Sequence, residues 1–214
     1  MSLSLTILGS SSSGNCSLIS DGDRHVLIDV GLSGRETARR LRACGVEPEQ
    51  ISAIVISHEH GDHCRGLAPF IKSRPIPVFI SERTLAACAI ALPAGTRQAL
   101  EPGKPLDVFG ILFTPFAVPH DAAEPVAFTI EKNGVKLAVV MDLGYVSHLV
   151  LERLRDCDGI VLESNHDVSM LRVGPYPWAL KQRVMSRLGH LSNDAVAEYL
   201  AHGFDGRARH VILA

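Results

Sequence analysis

The sequence predicts an α/β fold built in layers (α+β layered), with mixed β-sheets covered by helices. Three observations support this class. Short apolar runs rich in Val, Ile and Leu recur along the 214 residues, each bounded by turn-forming residues. Helical patterns lie between these runs. The order begins dense in strands, alternates strands with helices, returns to strands at about residues 106–141, and closes with a strand, helices and a strand.

The individual elements follow one another without an internal repeat or a linker. We expect strands at Leu3–Leu8, Cys16–Ile19, His25–Val30, Ala53–Ser57, Val78–Ile80, Ile111–Phe113, Val126–Ile130, Val135–Met141, Ile160–Leu162 and Val211–Leu213. We expect helices at Arg35–Cys44, from after His63 to Lys72, and at Glu82–Leu92, His148–Arg155, Ala179–Leu188 and Asn193–His202. Ser192 is placed to cap the last helix, and Gly203 to end it in a left-handed cap. The simplest interpretation is one domain spanning residues 1–214.

Length and composition exclude several classes of protein. A chain this long buries roughly 70% of its unfolded surface on folding, so a bound metal would serve chemistry rather than hold the fold together. A net charge of −2 excludes a generally basic protein that coats nucleic acid. No signal peptide or membrane partner is expected. Five widely spaced cysteines without a C-x-x-C pair predict small core residues in the reducing cytoplasm.

The segment from Ile54 to His63 carries the strongest functional signal. His58, His60, Asp62 and His63 follow a wholly apolar strand, whose end would hold the next loop rigidly. Imidazole and carboxylate are ligands that Zn, Mn and Fe accept, and their spacing offers separate ligand sets to two neighbouring metals. The alternative is a polar loop with incidental histidines, or a surface cluster that responds to pH. Four ligand-type residues in one turn favour the dinuclear metal site.

Two later residues could complete such a site. His120 follows the run Ile111 to Pro119, and Asp142 ends the strand Val135–Met141. A carboxylate at the tip of an apolar strand is costly unless a cation meets it. Taken singly, each residue would more often form a turn or a helix cap. Their order after the histidine cluster favours metal ligation instead.

The pattern His58-x-His60-x-Asp62-His63, followed by His120 and then Asp142, resembles the metallo-β-lactamase-fold hydrolases. The resemblance implies an αβ/βα sandwich of two mixed sheets flanked by helices. It also implies that His58, His60 and His120 bind one metal, that Asp62 and His63 bind the other, and that Asp142 bridges them. Asp142 stands where β-lactamases of the common zinc class have cysteine, so antibiotic hydrolysis is disfavoured. The metals would be two divalent ions, Zn or Mn, with Fe also accepted by these ligands.

Three further segments resemble the YycJ/WalJ-like subgroup, whose members are regarded as exonucleases on double-stranded DNA. They are Gly9–Asn15, Leu162–Asp167 and Gly189–Asn193. The last of them, with the helix and strand that follow, also resembles ribonuclease Z, where the histidine corresponding to His190 is thought to protonate the leaving oxygen. The resemblance implies Asp62 and His190 as catalytic residues. The residues expected to contact substrate are Ser13, Asn15, Asn165, His166 and Ser192.

One departure from these groups concerns the last metal ligand. Both groups place a histidine directly after the strand that here reads Val211–Ala214, and this chain stops there. We expect truncation at the C-terminus, because ending on a buried strand tip is unusual. The alternative is a second metal whose missing ligand is replaced by water or by His190.

The sequence therefore predicts a metal-dependent phosphodiesterase, namely an exonuclease that cleaves double-stranded DNA in the 5′–3′ direction with a hydroxide activated by two metals. Between Arg172 and Arg209 six basic residues stand against three acidic ones, an excess compatible with contacts to nucleic acid. Tyr176 and Trp178 would either contact that substrate or anchor a turn to the core. Likewise, the serine-rich loop would either line the site or be a flexible turn, and His190 would either donate a proton or be structural. The alternatives are hydrolysis of a thioester, lactone or cyclic phosphate, or a member that has lost catalysis. The sequence gives no indication of oligomeric state.

Overall fold

The computed structural model describes residues 3–214 and divides the chain into two compact units. The first unit runs to Leu112 and includes Ala122–Glu124, and the second comprises Phe113–Asp121 and Pro125–Ala214. The expectation of one domain over residues 1–214 stays a prediction. Among the described residues, no helix has the length and apolar character needed to cross a bilayer.

The first unit contains a mixed sheet of six strands in the order β1-β2-β3-β4-β5-β6. The strands are β1 (Ser4–Gly9), β2 (Cys16–Ser20), β3 (His25–Ile28), β4 (Ile51–Val55), β5 (Val78–Ile80) and β6 (Arg97–Ala99), and the short strand β7 (Leu106–Val108) follows them. The first three strands pair antiparallel through tight connections. The pairs from β3 to β6 are parallel, which requires a crossover between successive strands.

Helices supply those crossovers and cover the sheet. They are α1 (Gly34–Ala43), α2 (Gly61–Cys64), α3 (Leu67–Ile71) and α4 (Glu82–Cys88), with a 3₁₀ turn at Pro48–Gln50. Ser33 caps α1, its hydroxyl accepting the Glu36 N–H at 3.2 Å. Leu41 of α1 and Phe70 of α3 are fully buried against the strands. Each such side chain contributes roughly 2 kcal/mol by leaving water.

The second unit is also built on a mixed sheet, in which strands are hydrogen-bonded in the order β12-β11-β10-β9-β8. These strands are β8 (Ile111–Ala117, of which the residues from Phe113 onward belong to this unit), β9 (Val126–Lys132), β10 (Val135–Val140), β11 (Gly159–Leu162) and β12 (His210–Leu213). β9 and β10 form an antiparallel hairpin, whereas β10, β11 and β12 are parallel. The helices are α5 (His148–Leu154), α6 (Val168–Val173), α7 (Trp178–Val184) and α8 (Asn193–Glu198), followed by a π-helical turn at Tyr199–Gly203. Val150, Leu154 and Val196 bury the inner faces of α5 and α8 against this sheet.

The predicted α/β class with mixed sheets and helices is confirmed, and each expected strand and helix is present, with shifted ends in all cases but the strand Val78–Ile80. β6, α2 and α6 were not anticipated, because β6 is exposed throughout, α2 is only four residues long, and α6 is a short helix that depends on its Asp167 cap. The last helix is capped by Ser192 as predicted. The expectation for Gly203 is wrong, because this residue ends the π-helical turn instead of adopting a left-handed conformation.

Two expectations about burial are also wrong. Cys44, the residue at the C-terminal end of α1, is exposed, whereas Cys16, Cys64 and Cys157 are buried as predicted. β12 is an exposed strand rather than a buried one, with Leu213 at 51% exposure. Sequence pattern did not reveal this, because an apolar run has the same letters whether it lies in the middle of a sheet or at its edge.

Candidate metal-ligand groups

The ligand-type residues of the first unit lie where two parallel strands end. Asp29 follows β3, and the segment from His58 to His63 follows β4, which pairs parallel with β3. Because parallel strands end at the same edge of a sheet, the two segments meet there. The His58 ring lies 4.7 Å from the His60 ring and 4.1 Å from the His63 ring, measured between centroids. His58 and His63 are buried, and His60 and Asp62 are half-buried.

The buried carboxylate of Asp29 orients two of these histidines. Its Oδ2 accepts from His63 Nδ1 at 2.8 Å and from the Ser57 hydroxyl at 2.8 Å. Its Oδ1 accepts the Ser57 backbone N–H at 2.8 Å. The Ser57 hydroxyl, having donated to Asp29, accepts from His58 Nδ1 at 3.0 Å. Both rings therefore carry their proton on Nδ1 and present Nε2 as the nitrogen with a lone pair, which is the form that binds a metal.

The serine-rich loop after β1 packs against the same segment. Asn15 Nδ2 donates to His63 Nε2 at 2.9 Å and lies 3.3 Å from Asp62 Oδ2. The Asn15 backbone N–H donates to the Asp62 carbonyl at 2.7 Å. Ser13 is exposed at the tip of the loop, where its backbone N–H donates to the Ser11 hydroxyl at 3.2 Å. Asn15 therefore contacts two predicted metal ligands, while Ser13 is exposed to solvent.

The second unit brings together His120, Asp142 and His190. Each of these residues offers one ligand atom within 4.8 Å of the others. His120 Nδ1 donates to the Gly189 carbonyl at 3.0 Å, so its Nε2 also keeps the lone pair. Asp142 has a left-handed backbone (φ 54°), which turns the chain sharply after β10. The chain runs close at this turn, since a Cβ on Gly144 would lie 2.3 Å from the backbone of Arg187.

Glu163 holds His190 in this group. It follows β11, which is parallel to β10, so it lies at the same sheet edge as Asp142. Glu163 Oε1 accepts from His190 Nδ1 at 2.6 Å, and Oε2 accepts the backbone N–H groups of Leu143 (3.0 Å) and Leu191 (3.1 Å). Burial raises the pKa of Glu163. Burial alone would lower the pKa of His190, but the hydrogen bonds and charges of Asp142 and Glu163 outweigh it and raise that pKa to about 10.

The remaining predicted contact residues lie together in the second unit. The Asn165 backbone N–H donates to the Leu191 carbonyl at 2.9 Å. His166 pairs with Ser192 in an isolated parallel β-bridge. Burial lowers the pKa of the half-buried His166. The Ser192 hydroxyl accepts the Ala195 N–H at 3.2 Å and so acts as a helix cap. The structure thus shows where these residues lie, and their contact with a substrate stays a prediction.

Each unit therefore holds imidazole and carboxylate donors, the set that divalent Zn, Mn and Fe accept. A family model, the beta-lactamase superfamily domain, matches residues 24–209 of the chain. The chain belongs to the beta-lactamase superfamily. The predicted metallo-β-lactamase fold and the predicted class of hydrolase are confirmed.

Individual relatives narrow the position of the chain within the superfamily. It is 34% identical to an exodeoxyribonuclease, YycJ of Bacillus anthracis, over 217 aligned residues that cover 100% of this chain and 82% of the relative. It is 33% identical to the exodeoxyribonuclease WalJ of Streptococcus pneumoniae, over 97% of this chain and 79% of the relative. Among solved structures, zinc-bound PqqB from Methylobacterium extorquens has the same fold, with a TM-score of 0.68 and 20% identity over 88% of this chain and 79% of that chain. The predicted kinship with YycJ and WalJ is confirmed.

Two residues of this superfamily member that matter to the ligand groups were missed by the sequence reasoning. Asp29 and Glu163 each stand directly after an apolar strand, as Asp142 does after β10. The signal that singled out Asp142, a carboxylate at a strand tip, applies equally to both. Applied to every strand, it would have found both carboxylates, although not which histidine each of them contacts.

Proposed function

We propose that this protein is an exonuclease that cleaves double-stranded DNA in the 5′–3′ direction with two divalent metal ions. The observation that carries the proposal is the 34% identity to the exodeoxyribonuclease YycJ across the whole chain. The protein is an enzyme that hydrolyses phosphodiester bonds. The proposal goes further in three respects: that the substrate is DNA, that the DNA is double-stranded, and that cleavage runs from the 5′ end.

The ligands implied by the resemblance would hold the metals. His58, His60 and His120 would bind one ion, Asp62 and His63 the other, and Asp142 both. The donor chemistry supports Zn or Mn, with Fe also compatible, and a structure of the same fold, PqqB, contains zinc. When bound, such ions polarise phosphoryl oxygens and lower the pKa of the attacking water. Asp29 and Ser57 contribute by keeping Nε2 of His58 and His63 free of a proton.

His190 is the residue that would return a proton to the leaving sugar oxygen. Glu163 accepts from its Nδ1 at 2.6 Å, which holds the ring in place and stabilises its protonated form. The opposite nitrogen, Nε2, is then the atom from which a proton can be donated. Because Glu163 also accepts two backbone N–H groups, its own position is fixed by the loop that follows β10 and by the loop that precedes α8.

The exposed aromatic residues of the second unit support binding of nucleic acid. Tyr176 is 56% exposed and Trp178 is 61% exposed, so the alternative that they anchor a turn to the core is wrong. Exposed rings near basic side chains can stack on bases, which contributes roughly 1–3 kcal/mol per base. Ser13, Asn15, Asn165, His166 and Ser192 would contact the substrate nearer the metals.

The proposal extends to the compartment in which the enzyme works. All five cysteines are free thiols, three of them buried. Free thiols are typical of proteins in a reducing environment, which supports the cytoplasm.

The test of the proposal is cleavage of labelled nucleic acids. Duplex DNA, single-stranded DNA and RNA, each labelled at either end, are incubated with the enzyme and Mn²⁺ or Zn²⁺, with Asp62→Ala as the blank. We expect the duplex to be shortened from its 5′ end, and this activity to be lost in Asp62→Ala. Hydrolysis of bis-p-nitrophenyl phosphate without cleavage of any nucleic acid would overturn the choice of substrate and favour a small phosphodiester.

The role of His190 is tested separately. His190→Ala should retain the metal content of the wild-type protein while turnover falls by roughly 10²–10⁴-fold, the usual effect of losing a general acid. The matched control is His202→Ala, which changes an exposed histidine of the π-helical turn. Unchanged turnover would remove His190 from the mechanism, and a loss of bound metal would identify it as a ligand instead.

A further inference from the structure

The first unit carries a groove between α1 and α3 whose walls are rich in arginine. The groove has a volume of about 720 Å³ and contains no acidic residue among those that line it. Its lining includes Ser33, Arg35, Arg42, Arg65, Phe70 and Arg74. All of them belong to the first unit, and the metal-ligand groups described above do not include them.

The charge in this groove is only partly neutralised. Arg42 pairs with Glu47 and Arg74 pairs with Glu49, both at 2.8 Å and both near the surface. Within residues 3–214, Arg35 and Arg65 have no carboxylate partner. Arg65 instead donates to the backbone carbonyls of Gly31 (2.9 Å) and Ser13. The groove therefore holds four guanidinium groups and only two neighbouring carboxylates, an excess of two positive charges.

The backbone of the groove adds to its attraction for anions. Ser33 and Gly34 form the start of α1, a ten-residue helix whose first N–H groups carry partial positive charge. At Gly34 and Gly66 the groove is lined by backbone alone. Gly66 has no room for a side chain, because a Cβ there would lie 1.8 Å from the Leu32 carbonyl oxygen. The buried Phe70 ring lies 5.5 Å beneath the Arg74 guanidinium and keeps it against the wall.

One end of the groove adjoins the predicted metal ligands of the first unit. Arg65 follows α2 directly, and α2 contains Asp62 and His63. The two carbonyls that Arg65 binds belong to the serine-rich loop and to Gly31, whose N–H donates to the Asn15 carbonyl at 2.9 Å. A polymer whose scissile bond lies at Asp62 would therefore contact Arg65 where the chain extends away from the metal ligands.

We infer that this groove binds the sugar-phosphate backbone of the DNA strand that extends from the cleaved bond. The inference rests on the proposed function and names a binding track for its substrate. A guanidinium donates two parallel N–H hydrogen bonds to the oxygens of a phosphate. Several arginines along one groove therefore match the regularly spaced negative charges of a nucleic acid. Arg35, Ala38 and Arg42 share one face of α1, so two of these arginines are two helical turns apart along the groove.

The test compares two pairs of arginine substitutions. Arg35→Ala with Arg42→Ala removes two groove charges on α1. Arg39→Ala with Arg83→Ala is the control, because it removes two exposed arginines of the same unit that do not line the groove. Binding of the metal-loaded proteins to a fluorescein-labelled phosphorothioate DNA strand, which resists hydrolysis, is followed by anisotropy at several salt concentrations. Thermal unfolding verifies that both double variants fold like the wild type.

The expected effect follows from the release of counterions. Losing two phosphate contacts should reduce the slope of log Kd against log salt by about 1.4 for a single strand, which is about a tenfold weaker Kd at about 0.15 M salt. The control pair should bind within about twofold of the wild type, because its arginines contact no phosphate. Equal weakening by both pairs, or none by the groove pair, would overturn the inference. Polyglutamate that competes with the wild type better than DNA does would also overturn it, in favour of an acidic peptide.

A parallel cleavage assay separates this inference from the proposed function. If the wild type cleaves DNA and the groove pair binds as tightly as the wild type, only the groove inference fails. If the wild type cleaves no DNA, the proposed function fails. In that case the anisotropy data still decide whether the groove binds a phosphodiester backbone.

Discussion

Replacing Asp29 with asparagine probes how the fold prepares its histidines for metal. The substitution keeps the shape of the side chain, and asparagine tolerates the left-handed backbone found at this position (φ 61°). It removes the negative charge and converts one of two accepting oxygens into an NH₂ donor. Because the side chain is only 7% exposed, water cannot replace the lost acceptor.

The magnitude follows from the hydrogen bonds of the network. In Asp29→Asn, the amide oxygen would keep the bond from the Ser57 N–H, but the NH₂ group would face the Ser57 hydroxyl and His63 Nδ1. The hydroxyl can rotate, whereas His63 can avoid two opposed donors only by moving its proton to Nε2. Nε2 then lacks a lone pair for metal. Loss of such a supporting carboxylate lowers metal affinity by roughly 10–100-fold. That is about 1.4–2.7 kcal/mol.

The assay is competition for Zn²⁺ against a chromogenic chelator, with urea unfolding of the chelator-treated protein in parallel. Loss of the charged hydrogen bond should also lower the free energy of unfolding by about 1.5–3 kcal/mol. Asp23→Asn, which changes an exposed carboxylate in the β2–β3 turn, is the control. If Asp29→Asn lowered stability but left zinc affinity within about twofold of the wild type, the tautomer argument would be refuted.

Three more predictions address the same network, the core and the thiols. Ser57→Ala removes the hydroxyl that accepts from His58 Nδ1, so it should weaken Zn²⁺ binding less than the Asp29 substitution; the same chelator competition checks this, and a larger loss would contradict it. Leu41→Ala empties a fully buried site under α1 and should lower the urea-derived free energy of unfolding by about 2–5 kcal/mol; a value near zero would show that α1 does not depend on this contact. Burial raises the pKa of Cys157 to about 11, so at about pH 8 iodoacetamide should label the exposed Cys44 and spare Cys157 until the pH rises through that pKa or the chain unfolds; equal labelling, read by mass spectrometry, would contradict the burial.

Much of the architecture could be predicted because its signals are local. An apolar run such as Val126–Ile130 has strand character wherever it is placed, and alternation with helices restricts the pairing to mixed sheets. Where local signals are weak, the prediction failed. β6 has no buried residue and owes its existence to pairing with β5, while the exposure of β12 depends on its place in the sheet.

The sequence by itself determined the chemistry of this protein, because ligand type is a property of single residues and the spacing of His58, His60, Asp62 and His63 is short. Only the tertiary structure decided which partner orients each ligand. Asp29 meets His63 because β3 and β4 are parallel, and Glu163 meets His190 because β11 ends beside the turn that follows β10. Hydrogen bonds between residues 27 and 34 positions apart place the protons on these rings, and no short pattern encodes such a contact. The arginine groove depends on tertiary packing for the same reason, since α1 and α3 form its walls only once both pack on one sheet.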